Sequence, residues 1–208
     1  LIRSIGDAAE FYKVGLELYA AAGMDFVDEL ANSFRKKVFL DLKLYDIGET
    51  VKRTTSQVIR HNVTYLTVHA VRSVMCAAVQ GRGSSNTELL AVTVLTSFDQ
   101  SDLRDLDYPE STTVTELVES RVKKAMAIGM NGVVCSPLEI ARVRQIAGPH
   151  LKLIIPGVRS AGASAGDQKR VATPAQAMRD GADHIVVGRQ VTRAPDPRAA
   201  CQQILEEL

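Results

Sequence analysis

Short apolar runs alternate with longer amphipathic stretches along the chain. The runs are rich in Val, Ile and Leu, and their length and composition predict buried β-strands. Seven segments fit this pattern: 11–18, 38–44, 65–70, 89–96, 132–136, 152–158 and 184–188. Between them lie stretches with helical spacing, for example 21–35, 113–129 and 136–148. The alternation of strands and helices predicts a parallel sheet flanked by helices.

Two helix starts carry clear capping signals. Ser136 precedes Pro137 and Glu139, which places a capping hydroxyl, a first-turn proline and an acid at the amino end of a helix. Thr173 precedes Pro174 in the same way. We therefore expect helices to begin directly after Ser136 and Thr173.

The predicted fold class is α/β, a (β/α)8 TIM barrel formed by residues 1–208 as a single domain. A closed barrel of this class has eight strands, and only seven segments are present, so we infer that the first strand is missing from this chain. An incomplete chain is favoured over a natural seven-stranded enzyme. The competing architecture is an open doubly wound sheet, but no GxGxxG follows the first strand.

The segment VFLDLKLYDIGET, residues 38–50, places charges inside an apolar strand. Because strand side chains alternate between faces, Asp41 and Lys43 share one face with Phe39. The opposite face carries Leu40, Leu42 and Leu44. In a barrel the leucines would meet the outer helices, and the charged face would point inward near the carboxyl end, where barrels keep their active sites. Asp46 follows in the loop. The alternative is an edge strand with surface charges.

Lys13 lies in a similar apolar run, on the preceding strand. A buried ammonium group without a partner is costly, so we expect Lys13 and Lys43 to alternate in space with carboxylates. The alternative is that Lys13 extends along an outer face with its ammonium group in water.

The long loop 156–176 and the segment that follows carry donors for an anion. Arg159, Gln168, Lys169 and Arg170 lie in the loop, and Gly188 and Arg189 follow the last strand. Loops of this length are usually functional, and barrels often bind phosphate after strands seven and eight. We therefore predict a phosphate site here. The alternative is a glycine-rich loop without function.

Composition argues against several classes of protein. The net charge of +1 indicates no general attraction to nucleic acid or membrane, and no apolar run approaches the roughly 20 residues of a membrane-spanning helix. We see no signal peptide, and three widely spaced cysteines predict reduced thiols in a cytoplasmic protein. The four histidines are scattered, so we expect neither a metal nor a cofactor.

Five segments together resemble the bacterial orotidine 5'-phosphate decarboxylase family, from about Phe11 to the end of the chain. They are FLDLKLYDIGETV, TVHA, LLAVTVLTS, PGVRSAGASAGDQKRVATPAQA and GADHIVVGRQVTRAPDP. The DxKxxD spacing alone is shared with related sugar-phosphate barrels. The DQKR loop with the later GR and APDP is more specific.

The resemblance implies cofactor-free decarboxylation of orotidine 5'-phosphate to uridine 5'-phosphate in pyrimidine synthesis. Lys43 would protonate the carbon that loses carbon dioxide, Asp41 would face the substrate carboxylate, and Lys13 would contact the ribose. Asp46 and Thr50 would reach a neighbouring subunit, which implies a homodimer with shared active sites. The remaining contacts would be made by Thr96 to the pyrimidine and by Arg159, Gln168, Gly188 and Arg189 to the phosphate.

One departure from the family pattern affects the site. The family's first strand carries an aspartate that contacts the ribose, and no matching segment precedes Leu1. Two other functions stay open: another DxKxxD barrel, such as a keto-gulonate-phosphate decarboxylase or hexulose-phosphate synthase, which usually holds magnesium, and an inactive phosphate-binding barrel.

Overall fold

The structure, a computed structural model, describes residues 1–161 and 172–208. The described residues form seven strands: β1 (Phe11–Gly15), β2 (Lys37–Leu44), β3 (Tyr65–His69), β4 (Glu88–Val92), β5 (Gly132–Val134), β6 (Lys152–Ile155) and β7 (His184–Ile185). Their helices are α1 (Ile2–Ile5), α2 (Leu16–Asp28), α3 (Gly48–Val58), α4 (Arg72–Arg82), α5 (Gln100–Asp105), α6 (Val114–Ile128), α7 (Ile140–Ala147), α8 (Pro174–Arg179), α9 (Arg189–Thr192) and α10 (Pro197–Glu206). Parallel strands alternating with helices in this order confirm the predicted (β/α)8 class, of which these residues supply seven strands.

The chain divides into two compact units. The first unit comprises residues 10–92 and 124–132, and the second comprises residues 1–9, 93–123 and 133–208.

In the first unit, β1 to β4 pair in chain order, and all three pairings are parallel. Val14, Leu40, Leu66 and Leu90, one from each strand, are at most 1% exposed. Burial of such large side chains is the main favourable contribution to folding. The strands therefore provide a rigid support for the polar residues near their carboxyl ends.

Helices α3 and α4 pack closely in the first unit because Gly81 has no side chain. A Cβ atom built at Gly81 would overlap the Lys52 carbonyl oxygen and would lie 2.9 Å from Thr55 Cβ. The Ser56 hydroxyl donates a hydrogen bond of 2.9 Å to the Gly81 carbonyl. The glycine thus sets the distance between the two helices.

In the second unit, both predicted helix caps are present. The Ser136 hydroxyl accepts from the Leu138 amide at the start of a 3₁₀ helix, Pro137–Glu139, that leads into α7, and the Glu139 carboxylate accepts in return from the Ser136 amide. The Thr173 hydroxyl accepts from the Gln176 amide at the start of α8. Strands β6 and β7 pair in parallel.

The predicted strands begin within one residue of the observed ones but several end too late. Residues 16–18, predicted as strand, start helix α2, and residues 93–96 lie after the end of β4, outside any strand. The prediction was wrong at these ends because apolar side chains continue beyond the last ladder hydrogen bond. For residues 16–18 the following sequence is rich in Leu, Glu and Ala, which are strong helix formers.

Candidate active site

Asp41 lies at the centre of a charged cluster on β1 and β2. Its Oδ2 atom lies 3.3 Å from Lys13 Nζ and 2.9 Å from Lys43 Nζ. Asp41 is 8% exposed as a residue, whereas the two lysine side chains are about one-third exposed. The predicted meeting of Lys13 and Lys43 at a carboxylate is therefore confirmed in the first unit, and Lys13 does not extend away from the cluster.

The strand register explains how Lys13 reaches Asp41. Gly15 pairs with Asp41, and Lys13 lies two residues earlier on the same face of β1. A Cβ atom at Gly15 would lie 3.0 Å from Lys13 Nζ. The absence of a side chain at Gly15 leaves the space that the ammonium group occupies.

Thr67 on β3 completes the surroundings of Asp41. Its hydroxyl donates to Asp41 Oδ1 at 3.0 Å and accepts from the Lys43 backbone N–H at 2.9 Å. Thr67 is fully buried. Both carboxylate oxygens of Asp41 therefore have partners.

The charge state of Asp41 follows from these contacts. Burial acts to raise the pKa of the Asp41 carboxyl, but the ammonium groups of Lys13 and Lys43 and the hydrogen bonds from Lys43 and Thr67 act against it. The net result is a pKa below the ordinary value for aspartate. Asp41 is thus a carboxylate at neutral pH, held as the counter-charge of two lysines.

Strand β2 departs from the regular alternation of a β-strand near its carboxyl end, where Lys43 lies. The pairing with β3 shifts between Leu40 and Leu44, and Lys43 has a φ of +51°. Leu42 and Leu44 are half-buried and border a pocket with Val51 and Thr54 of α3, while the predicted regular alternation is interrupted beyond Leu40. The cause is the bulge, which turns the end of the strand out of the regular pleat.

A pocket of about 250 Å³ follows β2 and brings three of the predicted site residues together. Lys43, Asp46 and Thr50 all line it. The Asp46 carboxylate is exposed and accepts a 2.6 Å hydrogen bond from the Ile47 amide, and Thr50 is exposed on α3. The pocket therefore borders Lys43, Asp46 and Thr50, whereas Asp41 and Lys13 do not line it.

In the second unit, the predicted anion-binding residues flank the start of α9 and the loop after β6. The Arg159 amide donates to the Ala172 carbonyl at 3.0 Å, and its guanidinium donates to the Val158 carbonyl. Apart from atoms of the adjacent residues in the chain, no described atom lies within 4 Å of a Cβ atom built at Gly188, and Arg189 is exposed. Gln168, Lys169 and Arg170 lie outside the described residues. Thr96 lies half-buried in the turns after β4.

Ser160 and Gln190 connect these two segments. The Gln190 side chain accepts from the Ser160 amide at 3.2 Å and donates to the Ser160 hydroxyl at 2.6 Å. This double contact holds Ser160 and Gln190 together. It therefore limits the positions of Arg159 and Arg189, which are next to them in the chain.

Sequence reasoning missed Thr67, Gly15 and Gln190. A polar residue two positions before the end of an apolar strand is a signal that would have drawn attention to Thr67. Gly15 and Gln190 have no comparable signal, because Gly15 leaves room for an ammonium group that is directed by Asp41 of the next strand, and Gln190 contacts Ser160, 30 positions earlier.

In residues 1–161 and 172–208, no three His, Cys, Asp or Glu side chains gather as metal ligands would. None of the helices in this part of the chain is long and apolar enough to cross a bilayer.

The fold and the charged cluster define the class: a (β/α) barrel protein with a Lys–Asp–Lys site on adjacent strands. The chain belongs to the Orotidine 5'-phosphate decarboxylase / HUMPS family, whose model matches residues 1–204.

Individual relatives agree with this membership. The chain is 50% identical over 208 residues to an orotidine 5'-phosphate decarboxylase of Rhodopseudomonas palustris (strain BisB5), covering 100% of this chain and 87% of the relative. It is 51% identical over 211 residues to that of Methylobacterium sp. (strain 4-46), covering 100% and 88%. The crystal structure of orotidine 5'-phosphate decarboxylase from Lactobacillus acidophilus matches with a TM-score of 0.85 at 35% identity, covering 99% of this chain and 90% of that one.

Proposed function

We propose that this protein is a carboxy-lyase that converts orotidine 5'-phosphate to uridine 5'-phosphate in pyrimidine synthesis, without a cofactor. Membership of the family and the names of its half-identical relatives support the proposal. The observation that carries it is the convergence of two ammonium groups on one oxygen of a buried carboxylate. Such an array supplies charge at a fixed position, which is what a reaction with a carbanion intermediate requires.

The roles in the cluster follow from charge. Asp41 faces the substrate carboxylate, and two like charges about 4 Å apart repel by about 4 kcal/mol at an effective dielectric of 20. That repulsion is relieved when carbon dioxide leaves. Lys43 stabilises the negative charge that develops on the ring carbon and then donates its proton there. Lys13 binds the ribose hydroxyls and holds Asp41 in its charged form.

The remaining predicted residues bind parts of the substrate that do not react. We assign the pyrimidine to Thr96 and the phosphate to Arg159, Gln168, Gly188 and Arg189. Exposure of Arg189, open space at Gly188 and the Ser160–Gln190 contact support a preformed anion site in the second unit. Binding energy from the phosphate then favours the reactive arrangement at the ring.

The proposed activity is tested with the purified protein and orotidine 5'-phosphate. We expect the orotate absorbance to decrease, uridine 5'-phosphate to form in equal amount, and the rate to stay the same with excess chelator. Absence of turnover would overturn the proposal. Turnover of a keto-sugar phosphate that stops on adding chelator would identify the protein as one of the magnesium-dependent barrels instead.

We further propose a homodimer in which Asp46 and Thr50 contribute to the neighbouring subunit's site. Tyr45 and Ile47, on either side of Asp46, are 68% and 73% exposed, and apolar surface of this kind beside a pocket suits a second copy of the chain. The cytoplasm is the proposed location, because the three cysteines are free thiols in the structure.

Mixing two inactive variants tests the shared site. Lys43→Ala and Asp46→Ala subunits, allowed to exchange, form mixed dimers in which one site carries both substitutions and the other carries neither. If partners re-form at random, activity should recover to about a quarter of the wild-type value, because half the dimers hold one intact site out of two. If Asp46 acts within its own subunit, mixing restores nothing.

A further inference from the structure

Thr67 makes two contacts that connect the two charged residues of β2. Its hydroxyl donates to Asp41 Oδ1 at 3.0 Å and accepts from the Lys43 N–H at 2.9 Å. An amide N–H can only donate, so the hydroxyl proton is directed to the carboxylate. The orientation of the hydroxyl is thereby fixed by its two partners.

The Lys43 backbone needs such a partner. Its φ of +51° lies in the left-handed region, which a non-glycine residue rarely adopts. Strand β3 advances from Leu66 to Val68 while β2 advances from Leu40 to Leu44, so β2 carries extra residues opposite Thr67. At this bulge the Thr67 hydroxyl, in place of a backbone carbonyl, receives the Lys43 N–H.

The two oxygens of the Asp41 carboxylate have different partners. Oδ1 receives the Thr67 hydroxyl, and Oδ2 receives both Lys43 Nζ, at 2.9 Å, and Lys13 Nζ, at 3.3 Å. A carboxylate held at one oxygen cannot rotate without losing that hydrogen bond. The position of Oδ2 between the two ammonium groups therefore depends on the contact at Oδ1.

We propose that Thr67 is a positioning residue for the decarboxylation, an inference that rests on the proposed function. Its hydroxyl holds the Asp41 carboxylate and the left-handed backbone of Lys43 in one fixed arrangement. Thr67 is fully buried and acts on the reaction only through these two residues. Loss of the hydroxyl should therefore slow the chemical step and leave the binding of substrate largely intact.

The test compares Thr67→Val, which has nearly the same shape without the hydroxyl, with Thr67→Ser, which keeps it. We expect Thr67→Val to lower kcat by about 10- to 100-fold, by analogy with loss of the hydrogen-bond partner of a metal-ligating side chain, with KM nearly unchanged. Thr67→Ser should recover most of the lost rate. An unchanged kcat in Thr67→Val would overturn the inference, as would an equal loss of kcat in Thr67→Ser.

Thr87→Val is the matched control. Thr87 is also buried in the first unit, and its hydroxyl donates to the Val63 carbonyl at 2.8 Å, just before β4 begins. Its removal should lower the melting temperature without lowering kcat. If Thr87→Val reduces kcat as much as Thr67→Val, the effect is general destabilisation and the inference is wrong.

Amide hydrogen exchange at Lys43 provides a measurement that does not need turnover. We expect exchange of the Lys43 N–H to become faster in Thr67→Val, or in the smaller Thr67→Ala if the valine variant does not fold, and to stay slow in Thr87→Val. Unchanged exchange would overturn the inference even in an inactive protein. Failure of the wild-type protein to act on orotidine 5'-phosphate would instead overturn the proposed function.

Discussion

At the scale of single residues, Asp41 Oδ2 carries two contacts with different roles. Lys43 and Lys13 both lie within 3.3 Å of it, but only Lys43 also lines the pocket beyond β2. The two lysines therefore share a carboxylate oxygen but differ in their surroundings, because Lys43 borders the pocket after β2 and Lys13 does not.

Replacing Lys43 with alanine should abolish turnover. The variant loses both the proton donor and the charge that stabilises the carbanion, so kcat should fall by at least about 10⁴-fold. Binding of uridine 5'-phosphate, measured by calorimetry, should stay within a few-fold because the phosphate contacts remain. Lys37→Ala is the control: this lysine begins the same strand, its side chain is 62% exposed, and its loss should not change the rate. A near-normal rate in Lys43→Ala would exclude the assigned role.

A methyl group at Gly15 should disturb the cluster without unfolding the protein. The backbone there is extended, with a φ of −87°, so alanine fits it, but its Cβ would lie 3.0 Å from Lys13 Nζ. The ammonium group must move by a few tenths of an ångström, so we expect kcat/KM to fall by less than the roughly 100-fold cost of a 1 Å misplacement, with little change in urea denaturation. The loss should disappear when Gly15→Ala is made in a Lys13→Ala background. Additive losses would show that Gly15 acts by another route.

At the scale of elements, the contact between α3 and α4 supports the segment that carries Thr50. Helix α3 begins at Gly48, directly after Asp46 and Ile47, so its position determines where these residues lie. Packing at Gly81 is therefore connected with the pocket through the helix that lines it.

Gly81→Ala should destabilise the first unit. The added Cβ overlaps the Lys52 carbonyl, which belongs to the backbone and cannot rotate away, so α3 and α4 must separate. Overpacking of this kind costs about 1–3 kcal/mol in the free energy of unfolding, measurable by urea denaturation. Gln80→Ala, an exposed neighbour on the same helix, should change it little. Equal stability of the two variants would mean that the helices have room at Gly81.

The starts of strands were predicted from sequence better than their ends. Each observed strand starts within one residue of the predicted position, whereas β1, β4, β6 and β7 end before the apolar run does. Apolar character reports burial, and residues after a strand can be buried in a turn. Where the ladder stops is decided by hydrogen-bond partners on neighbouring strands, which a local pattern does not contain.

At the scale of the whole molecule, Asp41 links the charged cluster to acid stability. Its pKa is lower in the folded protein than the ordinary value of about 3.9, so its contribution to stability is complete above that value and is lost as pH falls through the folded pKa. The stabilising contribution of the Asp41 charge should therefore be lost in acid.

Asp41→Asn isolates this contribution. The wild-type free energy of unfolding, measured in urea from pH 7 to pH 3, should decrease more steeply below about pH 4 than that of the variant. The difference between the two proteins should be constant above about pH 5 and shrink in acid. A difference that is independent of pH would contradict the assigned charge state.

Local pattern by itself determined the order of seven strands and their helices, the caps at Ser136 and Thr173, and the choice of Lys13, Asp41 and Lys43 as candidates. These features can be predicted from sequence because burial, capping and alternation depend on residues a few positions apart. They were enough to predict the fold class and to place two lysines beside one carboxylate.

Only the tertiary structure decided how that cluster is held. The bulge in β2, the left-handed Lys43, the Thr67 hydroxyl between Asp41 and Lys43, and the space left by Gly15 all depend on pairing between strands. The Ser160–Gln190 contact likewise joins residues 30 positions apart. Such partners are chosen by the register of the folded chain, and no local sequence pattern encodes that register.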